Sequence, residues 1–217
     1  ISTPVVLSAA SLPHHPPDLD NGRVMFYAGG CASCHAAEGA KGEDRLVLSG
    51  GRELPTPFGP ILVPNISSDT TQGIGSWSEL EFVNAMVNGV SPSGQHYVPA
   101  FPWTAYRGMR IEDAMDLKAF LDTLPASGND AHAHGLPFPF NWRRPIGLWK
   151  RIILPPLPAA PEGADEKIAR GHYLTVALGH CGECHTPRNL LYAPDNDRLL
   201  AGARSMTGDG QIPNITP

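Results

Sequence analysis

Two five-residue segments constrain this chain more than any other feature: Cys31-Ala32-Ser33-Cys34-His35 and Cys181-Gly182-Glu183-Cys184-His185. They contain all four cysteines of the 217 residues, and in each a His directly follows the second Cys. The spacing C-x-x-C-H lets one turn of chain present two thiols that add to the vinyl groups of a porphyrin, while the adjacent imidazole takes the iron. The expectation is two covalently bound haem c groups. One is held by Cys31 and Cys34 with His35 as axial ligand, the other by Cys181 and Cys184 with His185.

Other readings of paired cysteines fit less well. A four-cysteine zinc site places its pairs about 12–20 residues apart, whereas Cys34 and Cys181 are 147 positions apart. Zinc also gives no reason for a His after both pairs. A thioredoxin-like redox pair needs a βαβ setting, and no run of β-branched residues precedes either motif.

The surroundings of the motifs repeat as well. Asn21 to Gly30 and Arg170 to His180 both read as a short helix, opened by Gly22 or Gly171 and carrying large apolar residues at helical spacing. Downstream, Pro64-Asn65-Ile66-Ser67 matches Pro213-Asn214-Ile215-Thr216, with Asn65 31 positions after Cys34 and Asn214 30 after Cys184. The first copy continues through a helix from about Ser78 to Gly89 and a last helix from about Ile111 to Leu124. That last helix places Ala114, Leu117, Phe120, Leu121 and Leu124 on one face, able to pack on the helix carrying Phe26 and Tyr27, and stops before Pro125. The second copy is expected to be present only as its N-terminal half.

Composition agrees with short helices and much loop, since 23 Gly and 23 Pro give nearly double the usual share. A hydrophobic content of 41% is enough for a core, which excludes a disordered chain. A net charge of −5 with scattered Lys and Arg excludes a nucleic-acid partner. No apolar run reaches the 18 or so residues needed to span a bilayer. The sequence opens Ile1-Ser2-Thr3-Pro4 without an initiator Met, and a signal peptide or membrane anchor upstream is the expectation.

The paired CxxCH motifs with their PNI(S/T) segments do not stand alone. With Gly73-Ile74-Gly75-Ser76-Trp77, Tyr97-Val98-Pro99-Ala100-Phe101-Pro102-Trp103 and Leu136-Pro137-Phe138-Pro139-Phe140-Asn141-Trp142, the chain resembles the multihaem cytochrome c subunits of bacterial membrane-bound dehydrogenases, such as those serving alcohol, aldehyde and gluconate dehydrogenases. The resemblance implies an all-α, loop-rich fold of tandem class I cytochrome c domains. A leader at 1–19 precedes domain 1 at 20–125, a Pro-rich linker at 126–165, and the first half of domain 2 at 166–217. It further implies a periplasmic carrier taking electrons from a dehydrogenase subunit to quinone, another cytochrome or a terminal oxidase.

In this family a Met well after the PNI segment is the sixth iron ligand, and Met sulfur raises the potential. Met25, Met86 and Met115 lie on helices where core packing is the expected role, which leaves Met109 for the first haem and His96 as its competitor. Met206, 22 positions after Cys184, reads as a loop residue rather than a ligand. Trp77, Tyr97 and Trp103 are candidates to line the haem pocket, with core packing as the equal alternative. Arg52, Arg107 and Arg204 are candidate propionate partners. Asn65 and Asn214, recurring in both copies, suggest a structural hydrogen bond beside the haem.

Two further readings stay open. A haem enzyme, a peroxidase or a sulfur-compound oxidoreductase, would need an open distal position on haem 2 beside an acid or base. In the linker, Asn141 to Arg151 mixes two tryptophans with four basic residues and no acid, a pattern suited to a membrane surface or a partner, or to tryptophans wedged between domains while the charges snorkel.

Overall fold

Helix α1 (Leu19–Ala28) begins where the Asp18 side chain accepts the Asn21 N–H at 2.9 Å, satisfying one of the donors a helix start leaves unpaired. In the computed structural model, which describes residues 3–131, 135–205, 208 and 210–216, short elements of this kind alternate with loop. The fold is helix-rich, with two antiparallel pairs of two-residue strands among the described residues. No described helix is long and apolar enough to cross a membrane.

One compact unit comprises Val6–Asn84 and Arg110–Asn141. It contains α1, the motif helix α2 (Cys31–His35), the strands β1 (Glu53–Leu54) and β2 (Ile61–Leu62), and α5 (Ile111–Asp122). Helix α3 (Glu79–Asn88) starts in it, at a capping box in which Ser78 N–H donates to Glu81 and Glu81 N–H donates to the Ser78 hydroxyl. The core is the crossing of α1 and α5, as the apolar stripes predicted. Met25, Phe26, Ala114, Leu117 and Leu121 are buried, and the Phe26 and Phe120 rings meet at 5.4 Å. Tyr27 instead faces solvent. A Cβ at Gly22 would overlap the Asp116 carbonyl, so glycine is what lets the helices approach this closely.

The segment before α1 is tied down by the buried Asp116 carboxylate. It accepts from Asp18 N–H at 2.8 Å and Asn21 Nδ2 at 2.8 Å, and pairs with His15 Nε2 at 2.7 Å. His15 therefore belongs to the fold, although in sequence it reads as a solvated leader residue.

The second unit comprises Ile1–Val5, Ala85–Met109 and Trp142–Pro217. It contains α4 (Trp103–Tyr106), α6 (Arg144–Ile152), α7 (Glu166–Tyr173), the motif helix α8 (Cys181–His185), and strands β3 (Ala203–Arg204) and β4 (Gln211–Ile212). A helix thus forms inside the stretch that reads as a Pro-rich linker, with Pro145 in its first turn, where a missing N–H costs nothing. Lys150 on this helix turns inward instead of snorkelling: its Nζ donates to the carbonyls of Asn88 at 2.6 Å and Gly89 at 2.9 Å. A π-helical turn, Leu174–Leu178, follows α7. It absorbs the one extra residue that separates Gly171 from Cys181 relative to Gly22 from Cys31.

Candidate haem-attachment sites

Each CxxCH segment is a single helical turn entered through a left-handed residue. Gly30 precedes Cys31 with φ 64°, and His180 precedes Cys181 with φ 42°. Glycine adopts this conformation freely, whereas His180 holds it at a cost of about 1–2 kcal/mol. The same backbone turn is therefore kept in both copies even where the residue type opposes it.

The proximal imidazoles are held alike. His35 Nδ1 donates to the Pro64 carbonyl at 2.9 Å, and His185 Nδ1 to the Pro213 carbonyl at 2.9 Å. A carbonyl only accepts, so Nδ1 carries the proton and Nε2 keeps its lone pair. The carbonyls of the two histidines accept in turn from Gly50 N–H at 2.8 Å and Gly202 N–H at 2.7 Å. Both glycines have positive φ, and a side chain on either would strike the PN segment, Pro64–Asn65 or Pro213–Asn214. The Asn side chains close matching turns: Asn65 Oδ1 accepts Ser67 N–H at 2.9 Å and Asn214 Oδ1 accepts Thr216 N–H at 2.8 Å.

This donor set fits haem c. All four cysteines are free thiols, each pair shares one helical turn with its His, and each His has one ring nitrogen fixed and the other available. Burial pushes the Cys31 thiol up to about 12. Close packing by protein atoms pushes His35 below the ordinary imidazole value, partly offset by the bond to Pro64. The neutral ring is the form that binds iron. Among the described residues no three of His, Cys, Asp and Glu converge to hold a bare metal ion.

The other predicted residues are placed as follows. Asn65 is buried and its Nδ2 donates to the carbonyls of Ser127 at 2.7 Å and Asn129 at 2.9 Å, while Asn214 is exposed. Trp77 is half-buried in the loop before α3. Trp103 is buried in the second unit, 2% exposed, with Gly89 against its ring, Trp149 edge-on at 6.3 Å and Lys150 Nζ at 4.0 Å. Tyr97 accepts the Trp103 Nε1–H on its carbonyl at 3.2 Å, and burial pushes its phenol up to about 12. Met25, Met86, Met109 and Met115 are all buried, as is His96. Met109 N–H donates to the Tyr106 carbonyl at 2.8 Å. Met206 lies outside the described residues.

One cluster in the second unit leaves no mark in the local sequence pattern. Glu183, a middle residue of the second motif, accepts from the Thr104 hydroxyl and pairs with Arg188. Arg107 donates to the carbonyls of Thr104 and Pro155. The middle positions of CxxCH carry no pattern constraint, so only the fold reveals that Glu183 is engaged.

Comparison with known proteins agrees with this geometry. The cytochrome c family matches residues 19–125. The chain is 50% identical over 200 residues to a "Diheme cytochrome c-type" protein of Cereibacter sphaeroides, covering 92% of this chain and 68% of that protein. It is 36% identical to the fructose dehydrogenase cytochrome subunit of Gluconobacter japonicus, covering 93% of this chain and 41% of the relative. It is 35% identical to the gluconate 2-dehydrogenase cytochrome c subunit of Pantoea cypripedii, covering 79% and 38%. The chain thus spans about two fifths of the length of these two dehydrogenase subunits. With two attachment turns, two oriented imidazoles and relatives of this kind, the chain belongs to the cytochrome c family.

Proposed function

We propose that this chain is a periplasmic dihaem electron carrier, with a class I cytochrome c domain at 20–125 and a second cytochrome c segment at 166–217, joined by a linker at 126–165. It takes electrons from a dehydrogenase subunit and delivers them to quinone, another cytochrome or a terminal oxidase. The observation that carries this reading is the repeated set of bonds around His35 and His185. The relatives named as dehydrogenase cytochrome subunits support the choice of donor.

Haem c, when bound, supplies a one-electron ferric/ferrous couple. The chain's own contribution is fixed geometry. Cys31, Cys34, Cys181 and Cys184 tether the groups, and His35 and His185 ligate through Nε2 while the Pro64 and Pro213 carbonyls hold the rings and raise their basicity. Met109 would supply the sixth ligand of the first haem, a reading supported by its place 44 positions after Asn65 and by its burial. A soft thioether favours the ferrous state and suits transfer rather than oxygen chemistry.

The test is a haem count and a visible spectrum of the holoprotein. Two haems per chain are expected, with a weak far-red band from Met sulfur on ferric haem that disappears in Met109→Ala. One haem, or a band unchanged in that variant, overturns the corresponding part. Binding of CO by the reduced wild type would favour a haem enzyme instead.

A further inference from the structure

Glu183 lies between the two cysteines of the second attachment turn and two positions before His185. Its carboxylate is held by protein on both oxygens. One accepts from the hydroxyl of Thr104, a buried residue of α4, and the other pairs with Arg188. The side chains of this pair are each 14% exposed, so water screens the charge poorly. Arg188 reaches the turn from the loop that follows it, donating also to the Glu183 carbonyl at 3.2 Å and the Tyr192 carbonyl at 3.0 Å.

The other charged groups nearby are accounted for. Burial pushes the Arg107 guanidinium below its ordinary value, and the charge of Glu183 offsets part of that effect. Asp195 pairs with Arg198 at 2.8 Å, and Asp197 is exposed. In the first attachment turn the matching position is Ser33, an exposed residue whose hydroxyl donates to the Gly30 carbonyl at 2.6 Å. The two turns therefore share their backbone, and only the second carries a charge inside it. Taking a carboxylate out of water has a cost that a serine does not incur, so this one needs a reason beyond the fold of the turn.

We propose that Glu183 tunes the reduction potential of the second haem, its fixed negative charge holding that couple below the value the same turn would give with a neutral residue. The proposal rests on the reading of Cys181, Cys184 and His185 as a haem site. Reduction places one more electron on the group tethered there, and a poorly screened carboxylate in the same turn opposes it. The cations do not reverse the sign. Arg188 and Arg107 stay when the carboxylate is removed, and left uncompensated they favour the ferrous form further.

The test is a spectroelectrochemical titration of the haem-loaded protein at neutral pH. The couple missing from Cys181→Ser/Cys184→Ser identifies the second haem. In Glu183→Gln, which keeps an acceptor for Thr104, the reduction equilibrium of that couple should move about tenfold toward the ferrous form, about 59 mV more positive for one electron, while the other couple stays in place. Glu183→Asp shortens the side chain but keeps the charge, and should stay within about twofold of wild type. Arg188→Gln removes the counter-charge and should move the same couple the opposite way, a readout that stands even if Glu183→Gln does not fold. A second couple that Glu183→Gln leaves unmoved, that Glu183→Asp moves as far as Glu183→Gln, or that Arg188→Gln moves toward the ferrous form overturns the proposal. A wild type with one haem per chain and one couple overturns the haem reading itself, and the haem count tells that failure apart.

Discussion

Gly22 of α1 lies directly on the carbonyl of Asp116 in α5, with no room for a methyl group between them. The matching residue of the second copy, Gly171 in α7, has nothing within 4 Å of its missing Cβ. One substitution should therefore act in opposite directions. Gly22→Ala forces backbone against backbone and should destabilise the holoprotein by about 1–3 kcal/mol. Gly171→Ala in an open helical position should stabilise α7 by about 0.5–1 kcal/mol. Denaturant unfolding of the two variants checks this, and equal signs would refute the contrast.

The Asp116 carboxylate should make the fold acid-sensitive. Burial alone would raise its pKa, but bonds from Asp18 N–H, Asn21 and His15 together hold it below the ordinary carboxylate value. A group depressed in the folded state contributes stability that is complete above its unfolded pKa and lost as pH falls through the folded one. The stability of wild type should therefore decline in the acid range below about pH 4 more steeply than that of Asp116→Asn. The variant should also lose about 1–3 kcal/mol at neutral pH. Parallel acid titrations followed by circular dichroism would show it, and superimposable curves would count against this role.

Much of this was legible because it is written in local chemistry. The attachment turns follow from four cysteines and two histidines, and α3 and α5 lie within two residues of their expected spans because capping and apolar period act locally. What escaped depends on partners distant in sequence. His15 is 101 positions from Asp116, and nothing around either residue indicates the other. Glu183 occupies a motif position that tolerates any residue, and its partner Thr104 is 79 positions away. Helix α6 was masked by the prolines around it, since Pro145 at a helix start looks the same in sequence as a Pro that breaks one. Composition likewise could not say that Lys150 points inward.

Asn65 and Asn214 occupy equivalent places but should not be equivalent in energy. Asn65 is buried and uses its amide three times, accepting from Ser67 and donating to the Ser127 and Asn129 carbonyls. Asn214 is exposed, and its carbonyl accepts from Thr216 N–H and the Thr216 hydroxyl. Asn65→Ala leaves buried polar groups unpaired and should cost about 2–3 kcal/mol, whereas water replaces what Asn214→Ala removes, for a loss below about 1 kcal/mol. Thermal melts of the haem-loaded variants separate the two. If Asn65→Ala melts with wild type, its bonds are not structural.

Lys150 gives the alkaline counterpart. Burial pushes its ammonium from 10.5 down to about 8, although its two carbonyl acceptors and the Trp103 face favour the charged form. A lysine depressed by folding binds fewer protons in the native state than in the unfolded state between those two values. Stability therefore rises with pH across that window. Wild type should gain stability between about pH 8 and 10.5 relative to Lys150→Met, which keeps the apolar stem over Trp103 and has no proton to lose. At pH 7 the same variant should be weaker, because the Asn88 and Gly89 carbonyls at the end of α3 lose their donor. Unfolding free energies measured at several pH values for both proteins test the two effects separately. A pH-independent difference would mean that the ammonium keeps its proton throughout and that the carbonyl bonds outweigh desolvation.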